Sequence, residues 1–192
     1  MENSGTVTIR GMIPDMPLTF DVVQFHFTSP AEHYIGDSRA DLEMQLVFKI
    51  NQEYLPNEIE LTTRRVIVSF LFQVDVGANN TFVNSLNMNT LGYIPELLIE
   101  EFIGNVPDKF VFYNGSLSYP NCNENVYRFI YITTQYISNE QLRHFTQYHR
   151  GNARILQDIN GRDILKVTKS LYSYGINLRM SVSIVILLMF IL

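Results

Sequence analysis

The sequence predicts a mainly β domain with a few short helices. Four segments rich in Val, Ile, Phe and Tyr alternate partly between apolar and polar residues, and turn-forming residues separate them, which is the pattern of half-buried strands. They are residues 20–27, 42–50, 66–76 and 126–133. Helical patterns are sparse by comparison, and no internal repeat is visible.

Two short helices are predicted around these strands. A weak helical period covers residues 93–103, with Pro95 near its start, where proline is tolerated. Ser138 followed three residues later by Gln141 forms a capping box, so a second helix is expected from there to about Tyr148.

The composition is that of one folded domain. A chain of 192 residues is long enough for a single substantial core. Its 46% hydrophobic and 17% charged residues argue against disorder. The net charge is −5, and the 14 Lys and Arg residues are scattered rather than clustered, so no nucleic-acid partner is expected.

The composition changes near Val167. A spacer with Ser, Tyr and Gly follows, and residues 180–192 form an uncharged apolar run that is shorter than the roughly 17–25 residues needed to span a bilayer. Small residues, a spacer and an apolar terminal run fit a lipid-anchor attachment signal. A short tail anchor and a buried terminal helix are the alternatives. We predict a domain over residues 1–167 and a membrane-attachment tail over residues 168–192.

A lipid anchor also requires an export signal. The residues after Met1 contain neither the basic region nor the apolar region of a secretory signal. The anchored form therefore implies a signal upstream of Met1 and a location at the cell surface or outside the cell.

Two short stretches carry the most specific pattern in the chain. Residues 24–28 read Gln-Phe-His-Phe-Thr, with Glu32-His33 close behind, and residues 115–120 read Gly-Ser-Leu-Ser-Tyr-Pro. Together with blocks at residues 137–142 and 152–162, they resemble the ordered signatures of the α-class carbonic anhydrases.

The resemblance covers residues 3–167 and implies the fold of that family: a central twisted, mixed and largely antiparallel β-sheet with short peripheral helices, here without the N-terminal strands. It also implies that Cys122 lacks its usual disulfide partner. A divergent, N-terminally shortened member is expected, similar to the carbonic-anhydrase-related proteins that have no catalytic activity.

The family holds zinc on three histidines, two of them two residues apart on one strand and the third on the neighbouring strand. The zinc ion supplies the hydroxide that hydrates carbon dioxide. In this sequence His26 matches the first ligand, Thr28 the second and Gln45 the third. A hydroxyl and an amide are poor zinc ligands beside imidazole, so zinc, the cofactor of the family, is not expected to be bound.

The residues that support the metal in the family are better preserved. Gln24 and Glu43 match the side chains that orient the first and third ligands. Glu32 and Ser118 match the pair that orients the zinc-bound hydroxide. His33 matches a structural histidine that pairs with a tyrosine at the position of Tyr113.

The predicted pocket differs from that of an active enzyme. Val47 keeps an apolar wall, but Tyr119 replaces a smaller threonine and Arg128 stands where the family usually has a tryptophan. A bulky phenol and a cation would disfavour carbon dioxide. The position of the proton-shuttle histidine holds Thr6, which cannot relay a proton at neutral pH.

Three hypotheses follow from these matches. The first is a non-catalytic binding or surface module with an unidentified protein or small-molecule ligand. The second is an active zinc lyase that converts carbon dioxide to bicarbonate with a degenerate metal site. The third is an incomplete domain with an unpaired sheet edge. Thr28 and Gln45 favour the first hypothesis, because losing two ligands removes most of the zinc affinity.

Overall fold

A computed structural model describes residues 6–13, 16–54, 65–86, 109–147, 151–168 and 176–179. This part of the chain contains ten strands, two short α-helices and a 3-10 turn at Gln52–Tyr54. The strands are β1 Thr6–Ile13, β2 Met16–Thr28, β3 Tyr34–Ile35, β4 Ser38–Arg39, β5 Leu42–Ile50, β6 Arg65–Val74, β7 Lys109–Ser116, β8 Glu124–Ile137, β9 Ile164–Thr168 and β10 Ile176–Arg179. The helices are α1 Thr81–Ser85 and α2 Asn139–Thr146.

Eight strands form one mixed sheet in the order β10-β1-β2-β5-β6-β8-β7-β9. Every neighbouring pair is antiparallel except β6 and β8, which run parallel. β3 and β4 form a separate small hairpin. The predicted fold class, a mixed and largely antiparallel sheet with short peripheral helices, is confirmed.

The predicted elements lie close to the observed ones. The strand at residues 42–50 coincides with β5, and the other three predicted strands overlap β2, β6 and β8. The capping box is also confirmed: Ser138 accepts a hydrogen bond from the backbone N–H of Gln141, and the Gln141 side chain accepts one from the backbone N–H of Ser138. The helix predicted over residues 93–103 lies outside the described residues.

Both faces of the central strands are covered. In β5 every residue except Lys49 is buried, which explains its continuous apolar run. One face carries the large core, whose biggest buried side chains include Phe20, Phe48, Phe70 and Phe72. The opposite face carries two small apolar clusters and, between them, the polar positions singled out in the sequence.

The sheet extends into the segment predicted to be a spacer. Ile176–Arg179 pairs with β1, with Thr6 opposite Arg179 and Ile9 opposite Ile176. Residues 180–192 lie outside the described part, and membrane attachment through residues 168–192 stays a prediction. None of the helices in the described ranges has the length and apolar character to cross a membrane.

Candidate functional site

The register of β2 and β5 brings the three ligand positions together. His26 lies opposite Gln45, and Thr28 lies opposite Glu43. Alternate residues of a strand share a face, so His26, Thr28 and Gln45 form one patch, as the sequence predicts. The donors in that patch are one imidazole, one hydroxyl and one carboxamide.

Gln45 has all its hydrogen-bonding groups engaged. Its side chain is completely buried. The amide nitrogen Nε2 donates to Glu32 Oε2 at 2.7 Å and to Glu43 Oε1 at 3.1 Å. The amide oxygen Oε1 accepts a hydrogen bond from Arg128 Nη1 at 3.0 Å. The third ligand position is therefore part of a closed hydrogen-bond network.

Arg128 is a buried cation held by neutral oxygen atoms. It lies on β8 and is only 3% exposed. Nε and Nη2 both donate to the carbonyl oxygen of Ser116, at 3.0 and 2.6 Å, and Nη1 donates to Gln45. The predicted cation in the pocket thus reaches the third ligand position directly.

The His26 imidazole is held as a neutral ring. Burial lowers the pKa of His26; the nearby carboxylate of Glu32 opposes this shift, and the Arg128 guanidinium adds to it. The side-chain amide of Gln24 lies 3.3 Å from His26 Nδ1, so the predicted contact of Gln24 with the first ligand position is present. The Tyr119 ring meets the imidazole edge to face, with 5.9 Å between ring centroids.

Thr28 has no partner for its hydroxyl. The residue is 3% exposed, and its Oγ1 atom makes no hydrogen bond within the described part of the chain. A buried hydroxyl without a partner is destabilising relative to one that is satisfied. The second ligand position is therefore an unpaired polar atom beside one neutral imidazole.

Glu43 is the centre of a buried chain of hydrogen bonds. Its Oε1 lies 2.7 Å from His33 Nδ1, and His33 Nε2 lies 2.8 Å from the Tyr113 hydroxyl. Its Oε2 accepts hydrogen bonds from the backbone N–H groups of Glu32 and His33, at 2.9 and 3.0 Å. Burial alone would raise the pKa of Glu43, but the charge and hydrogen bonds of His33 hold it at about 2. The predicted pairing of His33 with Tyr113 is confirmed.

In the described part of the chain, Glu32 accepts its hydrogen bonds from groups other than Ser118. Glu32 binds the Gln45 amide through Oε2 and accepts a hydrogen bond from the Arg154 backbone N–H at 3.2 Å through Oε1. No hydrogen bond joins Ser118 to Glu32 among the described residues. The Gln45 amide donates to Glu32 at this site, and a joint role of Glu32 and Ser118 stays a prediction.

The remaining predicted residues have simpler surroundings. Val47 is buried in a small cluster with Ile67, Leu117 and Val126, against which Tyr119 packs. Thr6 is the first residue of β1 and lies opposite Asp21 of β2.

Sequence reasoning missed two residues near the site. The Arg154 guanidinium donates to Ser116 Oγ at 2.9 Å and to the carbonyl oxygen of Leu117 at 3.0 Å. The Arg162 guanidinium lies over the Tyr113 ring at 5.6 Å from its centroid. Both lie in the block at residues 152–162, which contains two arginines in a chain with a net negative charge. The two positive charges in this block are the sequence feature that could have indicated them.

The sheet order and the facing ligand positions on β2 and β5 define the α-carbonic anhydrase class of fold. The model of the family described as eukaryotic-type carbonic anhydrase matches residues 1–168. The chain belongs to this family, as its ordered motifs predict.

Relatives and solved structures agree with this assignment. The chain is 29% identical over 170 residues to alpha carbonic anhydrase 8 of Arabidopsis thaliana, covering 82% of the chain and 39% of the relative. It is also 29% identical over 156 residues to alpha carbonic anhydrase 3 of the same plant, covering 74% of the chain and 52% of the relative. The chain thus spans about half the length of the curated relatives it matches.

Two solved structures illustrate the shared fold. The α-carbonic anhydrase of Thermovibrio ammonificans in complex with sulfanilamide superposes with a TM-score of 0.64 at 18% identity, covering 84% of this chain and 75% of that chain. Dioscorin complexed with ascorbate superposes with a TM-score of 0.56 at 21% identity, covering 85% of this chain and 74% of that chain.

Proposed function

We propose that this member of the carbonic anhydrase family does not hydrate carbon dioxide and that its scaffold serves as a ligand-binding module. The observation that carries the proposal is the contact between Arg128 and Gln45. At the third ligand position, the amide oxygen accepts a hydrogen bond from a buried guanidinium at 3.0 Å. The amide nitrogen and oxygen at this position are therefore both engaged in hydrogen bonds to other protein groups.

This arrangement does not fit the zinc ion of the family. A catalytic zinc site uses three protein ligands, usually imidazole or carboxylate, and one open position. Here His26 is the only imidazole in the patch, and the Gln45 oxygen is committed to Arg128. A guanidinium this close also repels a divalent cation. We therefore derive no step of catalysis through a metal.

The alternative is a zinc-dependent carbonic anhydrase with a degenerate site, and one observation favours it. Burial keeps the His26 imidazole neutral by lowering its pKa, and neutral imidazole is the form that binds zinc. Glu43 and Gln24 also remain in contact with positions 45 and 26. Against this, a single imidazole supplies one of the three nitrogen ligands.

The test is metal content and activity measured on the same preparation. The full chain is purified and dialysed first against zinc and then against a mild chelator. Its zinc content is measured by mass spectrometry, and its carbon dioxide hydration is measured by stopped flow. We expect well under one zinc ion per chain and no hydration above background. Stoichiometric zinc together with hydration that an arylsulfonamide inhibits would overturn the proposal.

A matched variant separates the role of His26 from nonspecific metal binding. His144 lies in α2, far along the sequence from the patch. If the alternative holds, His26→Ala removes zinc and activity, whereas His144→Ala leaves both unchanged. If the proposal holds, His26→Ala and His144→Ala have the same effect on any residual zinc content.

A further inference from the structure

A cavity of about 500 Å³ adjoins the polar patch on the same side of the sheet. Its floor is formed by β7 and β8, one wall by the hairpin of β3 and β4, and the other wall by residues 154–157 with Ile159, Arg162 and Ile164. This volume lies within the range of sites that bind small molecules. His26, Thr28 and Gln45 do not line it, so it is distinct from the ligand positions.

Three arginine residues line this cavity. They are Arg128, Arg154 and Arg162. Arg128 and Arg154 donate to the carbonyl oxygens of Ser116 and Leu117, to Ser116 Oγ and to the Gln45 amide. Arg162 donates to the carbonyl oxygens of Ile159 and Asp158. In the part of the chain that the structure describes, the ion pair is that of His33 with Glu43, and none of the three arginines forms one.

The opposing negative charge around the cavity is small. Glu32 is the one carboxylate among the described lining residues, and both its oxygen atoms already accept hydrogen bonds. Asp158 and Asp163 belong to the same chain segment but do not line the cavity. Three guanidiniums against one carboxylate leave two positive charges, in a chain whose net charge is −5.

The rest of the wall is apolar and open. Ile155 is 84% exposed, Leu156 63% and Ile159 57%, and all three line the cavity. Val111 and Ile130 continue the apolar surface on the sheet side. Large aliphatic side chains exposed together at the mouth of a concave site are typical of ligand-binding grooves.

We propose that this cavity binds a small organic anion that has an apolar body, such as a hydrophobic monocarboxylate. The anionic group would face the arginines, because a planar guanidinium presents paired donors that match a carboxylate. The apolar body would cover the isoleucine-rich wall and remove it from water. The inference deepens the proposed function by naming a ligand class, but it uses a different pocket from the metal positions.

The first test measures binding of 4-phenylbutanoate to the full chain by calorimetry and by NMR. Its neutral isostere 4-phenylbutanamide and the small anion acetate serve as ligand controls. We expect a dissociation constant of about 1 mM or lower for the carboxylate, given typical ligand efficiencies. The amide should bind at least about fivefold more weakly because it lacks the charge-assisted hydrogen bonds, and acetate should bind weakly because it lacks the apolar body.

The second test changes the charge at the mouth of the cavity. Ile155→Lys and Ile155→Glu are matched in length, and both alter an exposed residue, so folding should be retained. The lysine variant should bind 4-phenylbutanoate about tenfold more tightly than the glutamate variant, and added salt should reduce the difference. Both variants lose the same apolar contact, so they should bind the neutral amide equally well. Arg162→Gln should weaken carboxylate binding, whereas Arg143→Gln in α2 should not.

Three results would overturn the inference: equal binding of carboxylate and amide, no difference between the two Ile155 variants, or equal effects of Arg162→Gln and Arg143→Gln. Equal binding of the two ligands would indicate an apolar groove without anion preference. The result of these anion-binding tests does not depend on whether the protein binds zinc. Zinc and hydration in a protein that still prefers the carboxylate would overturn the proposed function alone.

Discussion

At the level of single residues, the site is best understood from Gln45. An amide has both donors and an acceptor, so it can bridge two carboxylates and a guanidinium at once. Gln45 does this with Glu32, Glu43 and Arg128. An imidazole at this position cannot make all three contacts, so Gln45 and Arg128 depend on each other.

This dependence shapes what is needed to rebuild a metal site. Thr28→His and Gln45→His together should create a three-imidazole patch, because His26 and position 28 share a face and position 45 faces them. We expect zinc affinity to rise by orders of magnitude over either single variant. Arg128→Gln should raise it further by removing a cation that has lost its partner. Zinc titration of all the variants measures this.

Carbon dioxide hydration should recover less than zinc binding. Tyr119 still packs on the imidazole at position 26, and both oxygen atoms of Glu32 already accept hydrogen bonds from other groups. Equal and weak zinc binding in the wild type, the single variants and the combined variants would show that the three positions do not converge on one point.

The ionisation of Glu43 predicts an acid limit to stability. Its pKa is about 2 in the folded protein, against 4.5 for an unperturbed group. A carboxylate with a lowered folded pKa contributes stability that is fully present above about pH 4.5 and lost as the pH falls toward 2. The contribution is on the order of 3 kcal/mol. Glu43→Gln should therefore lower the urea midpoint at pH 7.

The difference in free energy of unfolding between the wild type and Glu43→Gln should become steadily smaller as the pH falls from 4.5 to 2. Glu53→Gln provides the control, because Glu53 is exposed in the 3-10 turn and its removal should leave the pH profile unchanged. If this difference in unfolding free energy stays constant across the pH range, protonation of Glu43 does not account for the loss of stability in acid.

At the level of elements, strand register decides which side chains meet. β2 carries an irregularity between Val22 and Gln24, after which Gln24 to Thr28 run in register with Val47 to Glu43 of β5. β7 continues the same face with Tyr113, which lies opposite Arg128 of β8. The buried chain from Glu43 through His33 to Tyr113 therefore crosses from β5 to β7 and links the polar patch to the strand next to the sheet edge.

Gly115 allows Tyr113 to reach this position. A Cβ atom at Gly115 would lie 2.6 Å from Tyr113 Cε2, and the ring is held by its hydrogen bond to His33 and by Arg162. Gly115→Ala should therefore destabilise the protein by about 1–3 kcal/mol, as overpacking does. Chemical denaturation measures the change.

A double-mutant cycle with Tyr113→Ala identifies the cause. If the clash is responsible, Gly115→Ala should have little effect once the ring is removed, and the interaction energy should be close to the effect of Gly115→Ala alone. Additive effects in the cycle would instead assign the loss to the backbone of β7.

At the level of the whole molecule, the sequence predicted the fold well and the contacts of the site only in part. The strands at the centre of the sheet have strong apolar patterns, and the convergence of His26 with Gln45 followed from alternation along paired strands. The Arg128–Gln45 contact joins residues 83 apart in sequence, and no local pattern encodes such a contact. The pairing of Glu32 with Ser118 stays a prediction, since the described hydrogen bonds of Glu32 join it to Gln45 and to the backbone of Arg154.

The last described strand, β10, was also not predictable from its local sequence. Residues 176–179 have the composition of a spacer, yet they extend the sheet beside β1. An edge strand this short gains its order from the neighbouring strand rather than from its own sequence. This pairing predicts a role in stability for β10.

Shortening the chain tests the role of β10. A chain that ends at Arg179 keeps this strand, and a chain that ends at Thr168 exposes β1 as the sheet edge. Four residue pairs are lost, so the shorter chain should be less stable by about 1–3 kcal/mol. At about 2–4 °C per kcal/mol for a domain of this size, its melting temperature should fall by several degrees. It should also scatter more light on heating, because an exposed edge promotes association.

Proline substitutions in the chain ending at Arg179 provide the matched control for this deletion. Along an antiparallel edge strand, backbone N–H groups alternate between the neighbouring strand and solvent. Proline removes one N–H group. Of Asn177→Pro and Leu178→Pro, one should therefore reproduce most of the loss in melting temperature, and the other should have a smaller effect. Equal melting temperatures for both chain lengths, with no difference between the two proline variants, would mean that β10 contributes nothing to the stability of the sheet.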